Sequence, residues 1–215
     1  MASRSRGGEV ANSGTKGVAR ADRERQLVLC AVEEFGRQGY AGASTERVAQ
    51  AAGVSKGMVY HLFGSKEGLS RACLEAVGPD LVDAVTAAQE STDPRQRALD
   101  TLTAIFTALA ENRHAWAVIY DPTLPDGPAG QLAAGFRKQL EALGTDGTRQ
   151  ILTVAGDHDA LDHELLDRMW QSAVATAVRW WQTHDELSAE EMATRCARLL
   201  GVLMPPVEPG GEKSV

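Results

Sequence analysis

Apolar side chains recur at three- and four-residue intervals along most of the chain, which is the period of helices with one buried face. Near the amino terminus, from Asp22 to Gly39, the repeat is carried by Leu27, Val28, Ala31, Val32 and Phe35. No stretch of useful length shows the two-residue alternation of a half-buried strand. The pattern therefore predicts an all-α fold of about nine helices.

Capping residues and glycines divide the first part of the chain into short helices. Ser44 or Thr45 predicts the start of a second helix, Ser55 that of a third and Ser65 that of a fourth, because hydroxyl oxygens accept hydrogen bonds from first-turn amides. The breaks between these helices fall at Gly39, Gly53 and Gly64. In the fourth helix, Gly78-Pro79 predicts a kink or a break, since proline removes a backbone donor.

The remainder of the chain also reads as helices, with one long loop and one ambiguous stretch. The capping box Ser188–Glu191 predicts the start of the last helix, and Pro205-Pro206 its end. Residues 144–160 carry no clear pattern. The other predicted elements are a helix opening at Asp93-Pro94, a short helix around Trp116 to Tyr120, a loop over Asp121 to Gly130, a helix from Leu132 to Leu143, and a helix over about Asp162 to Thr183.

The charge of the 215-residue chain is unevenly distributed. The formal total of −7 argues against a polyanionic partner. However, residues 1–71 hold 11 Lys and Arg against 7 Asp and Glu, whereas residues 72–215 hold 11 against 22. Such asymmetry suggests a basic module joined to an acidic one. We expect a disordered basic arm (1–20), a basic head (21–68), a larger acidic body (69–204) and a disordered tail (205–215).

Several classes of protein are disfavoured by the residues present. No apolar run approaches the ~20 residues of a membrane-spanning helix, and the basic start lacks the apolar core of a signal peptide. A cytoplasmic protein is therefore expected. The three cysteines, Cys30, Cys73 and Cys196, are widely separated and read as small buried side chains. We expect no metal or cofactor, because His158 and His163 are poorly spaced as ligands, and no enzymatic activity, because no nucleophile–base cluster is evident.

One motif carries the functional expectation. A helix, a short turn at Gly53-Val54-Ser55 and a second short helix form the outline of a helix-turn-helix. The stretch AGVSKGMVYHLFGSKEGL, with Phe35, Gly39-Tyr40, Thr45 and Val48-Ala49 before it, resembles the tetracycline-repressor (TetR) family of bacterial transcription regulators. The resemblance covers about Asp22 to Leu74. It implies a repressor with a three-helix head that binds double-stranded DNA and a helical body that forms a homodimer on a palindromic operator. Binding of a small-molecule effector to the body would release the repressor from the DNA.

The resemblance also implies which residues meet DNA. Thr45 and Lys66 would lie at phosphates, and Lys56, Gly57 and Met58 would face the major groove. Two interpretations of Glu46 remain: it accepts a hydrogen bond from a cytosine, or it only favours the helix dipole. The full predicted set is Ser44, Thr45, Glu46, Ser55, Lys56, Gly57, Met58, Tyr60, His61 and Lys66.

For the body, the predictions concern a pocket and a dimer face. The apolar and aromatic set that would line the pocket suggests a lipophilic effector; it comprises Phe106, Leu109, Trp116, Ile119, Tyr120, Phe136, Leu140, Trp170 and Val174. The last two helices would form a four-helix bundle with those of a second copy. Their predicted interface comprises Leu166, Met169, Ala173, Ala177, Trp180, Trp181, Met192, Cys196, Leu199 and Leu203. The alternative is a DNA-binding regulator controlled by a protein partner or by no effector.

Overall fold

The structure, a computed structural model, describes residues 13–203, which form nine α-helices and no strand. The helices are α1 (Ser13–Gly42), α2 (Thr45–Ala51), α3 (Lys56–Phe63), α4 (Lys66–Ala87), α5 (Pro94–Leu109), α6 (Ala115–Ile119), α7 (Pro128–Ala155), α8 (Ala160–Gln182) and α9 (Ala189–Leu203). The all-α prediction is confirmed. None of the helices within this range is long and apolar enough to span a membrane.

The capping residues of the head act as predicted. The Ser44, Ser55 and Ser65 side chains accept hydrogen bonds from amides in the first turns of α2, α3 and α4. Gly53 and Gly64 adopt φ of 66° and 74°, a left-handed conformation that glycine reaches without steric cost. The turn between α2 and α3 is therefore fixed by local sequence chemistry.

One predicted boundary of the head is wrong. The predicted arm reached residue 20, but α1 begins at Ser13, because extending a helix from a packed segment costs less than nucleating one, even across Gly14 and Gly17. Residues 1–12 lie outside the described part of the chain, as does the predicted tail at 205–215 with Pro205-Pro206. The kink at Gly39 (φ 66°, ψ 166°) confirms the predicted end of the first straight segment.

Helix α4 joins the head to the body and is not broken at Pro79. It runs from Lys66 to Ala87 with Pro79 inside, so the predicted break is wrong. The helix continues because Gly78 is buried on the body side, whereas Pro79 is exposed. A Cβ at Gly78 would lie 2.2 Å from Cε2 of Phe136, so the backbones of α4 and α7 approach at this point.

The body is built from layers of helices on α4. Helix α7 packs on α4 and α8, and α9 packs on α5. The ambiguous residues 144–155 complete α7, which ends at Gly156 in the left-handed conformation. Leu69, Leu74, Leu81, Phe106 and Ile119 are fully buried, and one continuous apolar core joins head and body. Head and body are therefore joined by packed side chains and not by a flexible linker.

Candidate nucleic-acid interface and ligand cavities

The amino-terminal ends of α2 and α3 meet on one face of the head. The hydroxyl of Thr45, at the start of α2, lies 3.4 Å from that of Tyr60 in α3 and donates to it. Thr45 is buried at 8% exposure, whereas Tyr60 is 43% exposed. Thr45 therefore orients the Tyr60 hydroxyl, and the positive end of the α2 dipole favours a phosphate beside it.

The outer surface of α3 carries the predicted groove residues. Lys56, Gly57 and His61 are exposed and Met58 is half-buried. A Cβ at Gly57 would meet only the Ser55 hydroxyl, at 3.8 Å, so nothing in the described residues blocks approach to this backbone. Val59 points into the core at 1% exposure. The short helix thus has one buried side and one open polar side, as a helix that enters a major groove requires.

Glu46 has a partner that the sequence did not indicate. Its carboxylate lies 3.5 Å from the ammonium of Lys56, and both side chains are more than half exposed. The nearest basic groove residue is thereby partly neutralised in the free protein. Exposed pairs of this kind are worth little on their own, so the pair can separate at small cost when DNA approaches.

Lys66 is held at the edge of the same face. Its Nζ lies 4.7 Å from the centroid of the Tyr40 ring and 3.5 Å from the Ala41 carbonyl oxygen. These contacts keep the ammonium near the start of α4. Whether this and the other predicted residues touch DNA stays a prediction.

A polar clasp connects the head to the loop that follows α6. The buried carboxylate of Asp121 accepts hydrogen bonds from the amide of Tyr40 and, at 2.7 Å, from the hydroxyl of Thr123. The Thr123 oxygen in turn accepts a bond from the Ala41 amide at 3.0 Å. The clasp is absent from the sequence-based predictions, because two short segments about 80 residues apart supply it.

A largely apolar cavity of about 410 Å³ lies between α5, α7, α8 and α9. Its size falls in the range of small-molecule sites. Two glycines of α7, Gly144 and Gly147, leave room for it, and Trp170 covers one wall. The other lining residues are Gln89, Pro94, Arg97, Ala98, Thr101, Leu143, Thr148, Ile151, Leu166, Met169, Ala173 and Leu200.

A second, wider groove is polar. It measures about 900 Å³ and runs along α7 and α8, above a stacked pair formed by Trp116 and Tyr120. Burial, followed by the nearby Glu141, raises the pKa of the Tyr120 hydroxyl to about 12, so this group stays protonated. Glu164 and Arg168 pair with each other across one turn of α8. The groove is therefore less suited to a lipophilic molecule than the apolar cavity.

The predicted pocket residues divide between these spaces and the core. Trp170 lines the apolar cavity, and Trp116 and Tyr120 line the polar groove. Phe136 packs against Gly78 instead. The remaining five are buried core side chains that line neither space: Phe106, Leu109, Ile119, Leu140 and Val174. Helical spacing identified which residues are buried but not which of them line a cavity. Cavities form where small residues of several helices lie next to one another.

The predicted dimer face is partly exposed. An open groove of about 710 Å³ lies between α8 and α9, and Met169, Trp180 and Leu199 on its walls are 59%, 44% and 56% exposed. Ala173 and Ala177 also line it, with Met192 and Cys196 at its floor, 4% and 7% exposed. The Leu203 side chain lies outside the described residues.

Two predicted dimer residues lie elsewhere. Trp181 is 2% exposed, its ring meets Phe106 edge to face at 5.4 Å, and its indole N–H donates to the Leu187 carbonyl. It belongs to the core of its own chain, since it is rotated about 100° around α8 from Trp180. Leu166 lines the apolar cavity.

Comparison with known proteins agrees with this arrangement. Residues 28–73 match the family model of the bacterial regulatory proteins of the tetR family. The chain is 47% identical over 64 residues to the regulatory protein RaaS of Mycobacterium tuberculosis, an alignment that spans only 30% of either chain. It is 28% identical over 179 residues to the transcriptional repressor KstR2 of Mycolicibacterium smegmatis, covering 80% of this chain and 85% of that one.

Among solved structures, AibR in complex with isovaleryl coenzyme A and operator DNA has a TM-score of 0.68 to this chain. The two share 18% sequence identity, and the match covers 86% of this chain and all of AibR. The agreement extends over head and body together. The head therefore matches the tetR family of bacterial regulatory proteins over residues 28–73, and the nine described helices share the fold of solved TetR-family regulators.

Proposed function

We propose that this protein is a dimeric transcriptional regulator that binds a palindromic operator and leaves it when a small lipophilic molecule occupies the body. In this proposal it acts in the cytoplasm and has no enzymatic activity. The observation that carries the proposal is the face of the head on which Tyr60, Lys56 and the start of α2 converge beside an open α3 backbone. This face presents hydroxyl, ammonium and amide donors to one anionic surface.

A dimer is supported by the exposed apolar side chains of α8 and α9. Met169, Trp180, Leu199 and Val202 are between 44% and 75% exposed, and a contiguous apolar patch on an isolated chain marks an interaction surface. A homodimer would hold two heads about 34–36 Å apart, one turn of DNA, so that each reads half of a palindrome.

Release by a ligand requires that the body bias the orientation of the head. The polar clasp supports this coupling, because Asp121 directly follows Tyr120 of the polar groove and holds the Tyr40 amide of the head. Helix α4 supplies a second connection, since it packs on α1 at one end and on α7 and α5 along the other. A ligand that shifts these helices would favour a head spacing that no longer fits the operator.

The proposal is tested by DNA binding to the promoter region of the protein's own gene, measured by fluorescence anisotropy over a series of salt concentrations. We expect affinity to fall steeply with salt. Tyr60→Ala and Lys56→Ala should weaken binding at least tenfold, and Lys56→Ala should lower the salt slope by about one. Lys138→Ala, which removes an exposed charge from the body, is the matched control and should change neither quantity. Binding without salt dependence, or unaffected by both head variants, would contradict the proposal.

The alternative, a regulator without a small-molecule effector, is favoured by one observation: most of the predicted pocket residues are packed in the core. Thermal-shift measurements with lipophilic compounds distinguish the two functions. Stabilisation of the protein that is lost in Gly147→Leu, which would fill the apolar cavity, supports an effector. No stabilisation by any compound favours the alternative.

A further inference from the structure

The apolar cavity contains a single charged side chain. Of its fifteen lining residues, only Arg97 carries a charge. Arg97 lies on the α5 face that also contributes Pro94, Ala98 and Thr101, and Leu143 and Ile151 of α7 are part of the same lining. A charge beside apolar walls is unfavourable unless it is paired or hydrogen-bonded.

The other polar groups of the cavity have partners within the protein. The Gln89 amide donates to the Val85 carbonyl at 2.8 Å and to the Thr101 hydroxyl at 3.0 Å. The Thr148 hydroxyl donates to carbonyls of the preceding turn of α7. These groups therefore do not need hydrogen bonds from a ligand.

Arg97 differs, because it has only neutral partners. Its Nε donates to the Ser91 carbonyl at 3.1 Å, and one Nη donates to the side-chain oxygen of Gln150. Within residues 13–203, no carboxylate lies within 4 Å of the guanidinium to pair with it. A guanidinium has five N–H donors, so Arg97 retains donors and a full positive charge.

The space beside Arg97 is kept open by a glycine. A Cβ at Gly147 would have only the Arg97 Cδ as a neighbour, at 4.0 Å. A larger residue here would project between the guanidinium and the apolar walls. The absence of a side chain thus leaves a path from the charge into the cavity.

We infer that the effector of this cavity is a lipophilic carboxylic acid, whose carboxylate pairs with Arg97 and whose apolar chain fills the space toward Trp170. The inference rests on the proposed function and names the chemical class of its effector. Arg97 matches a carboxylate because its planar fork donates two parallel hydrogen bonds. The acid would supply an opposite charge to the one charged side chain of the cavity lining.

The experiment compares decanoic acid with 1-decanol, which has the same chain and no charge, by calorimetric titration and thermal shift at neutral pH. The wild-type protein should bind the acid about tenfold more tightly than the alcohol, because a charged hydrogen-bonded pair adds to the apolar contact. Arg97→Met should lose this preference while still binding decanol, which also shows that the variant is folded. Arg97→Lys, which retains the charge without the fork, should recover part of the preference.

The outcomes separate this inference from the proposed function. Equal binding of acid and alcohol by the wild type, or a preference that survives in Arg97→Met, would overturn the inference. Decanol binding without acid preference leaves a lipophilic effector intact and removes only the role of Arg97. If neither compound binds, the lipophilic effector itself is contradicted.

Discussion

At the scale of single residues, Glu46 is the groove residue whose role the structure changes most. Its carboxylate lies 3.5 Å from Lys56, where it lowers the local positive charge at the predicted DNA surface. A cytosine contact, one of the two interpretations from the sequence, predicts weaker DNA binding when the carboxylate is removed. The pair with Lys56 predicts tighter binding.

We expect Glu46→Gln to raise DNA affinity by a few-fold across all sequences, because the substitution frees Lys56 and removes repulsion of phosphate. Anisotropy titrations with operator and scrambled DNA measure this change. A loss of discrimination at one C·G pair, with weaker operator binding, would instead support base contact. Glu33→Gln, an exposed acid on α1 paired with Arg37, is the control.

His114 gives the head–body junction a pH dependence. It precedes α6 and its Cβ lies against Gly36 of α1, where a Cβ would be 2.4 Å away. Burial first, and then Arg37 and Arg113, lowers its pKa below the ordinary value, although Glu33 and Asp185 oppose the shift. The folded protein therefore favours the neutral ring.

We expect the free energy of unfolding to fall as pH decreases through about 6.5, because the unfolded chain then binds a proton more readily than the folded chain. Above that pH the contribution of His114 is constant. Urea denaturation from pH 8 to 5.5, roughly spanning the titration of histidine, measures it. His114→Asn should flatten the profile, while His158→Asn, at an exposed position, should leave it unchanged. Identical profiles for all three proteins would contradict this assignment.

At the scale of helices, glycines decide how closely the elements pack. Gly78 and Gly135 lie in α4 and α7, and the sequence does not indicate which of them packs against a neighbouring helix. In the structure a Cβ at Gly78 would overlap the Phe136 ring, whereas one at Gly135 would meet nothing within 4 Å.

We expect Gly78→Ala to lower the free energy of unfolding by about 1–3 kcal/mol, because the packed ring must move. Gly135→Ala should raise it by up to about 1 kcal/mol, since alanine is the better helix former. Chemical denaturation of both variants provides the test. Similar effects of the two substitutions would show that the α4–α7 approach is looser than described.

The capping residues show how far element boundaries follow from sequence. Ser188 and Glu191 form the predicted reciprocal bonds at the start of α9, and these bonds lower the pKa of the Glu191 carboxyl. The end of α7 was not predicted, because Gly144 and Gly147 suggest a break that packing overrides. Helix caps act within four residues and can therefore be predicted from the sequence. Whether a helix continues through an interior glycine depends on the neighbouring helices that pack against it.

At the scale of the whole molecule, the open groove between α8 and α9 predicts the oligomeric state. We expect Trp180→Glu to convert the proposed dimer to a monomer, because a buried, unpaired carboxylate at its centre is costly. Sedimentation equilibrium measures this directly. Leu29→Glu places the same charge on an exposed apolar site of the head, 45% exposed, and should leave the dimer intact. A dimer that persists in Trp180→Glu would exclude this face.

The polar clasp predicts how tightly the head is held to the body. Thr123→Val removes the oxygen that accepts the Ala41 amide bond, and one lost hydrogen bond of about 1 kcal/mol corresponds to about fivefold in an equilibrium. Hydrogen exchange at Ala41 should accelerate by that factor. Thr107→Val, an exposed threonine on α5, is the control. Unchanged exchange at Ala41 would show that the clasp contributes nothing to holding the head.

The uneven charge distribution concerns the whole molecule, because it sets the sign of the potential around the head and around the body. The acidic residues concentrate after residue 71, so in the proposed function the body repels DNA while the head attracts it. The predicted distribution of function along the chain follows from this sum and from the helix-turn-helix. The electrostatic potential of a domain is a sum over its charges. Its sign can therefore be predicted from the sequence without knowing which side chains are in contact.

The sequence by itself determined the helical class, the caps of the head, the helix-turn-helix and the resemblance of the head to the TetR family, because these depend on spacing and on chemistry within a few residues. Only the tertiary structure decided that Trp181 faces its own core while Trp180 faces outward, that Arg97 stands alone in an apolar cavity, and that Asp121 holds the Tyr40 amide. Each of these depends on residues from several helices meeting at one point. Periodicity identifies which face of a helix is buried, but what lies against that face is set by packing in three dimensions.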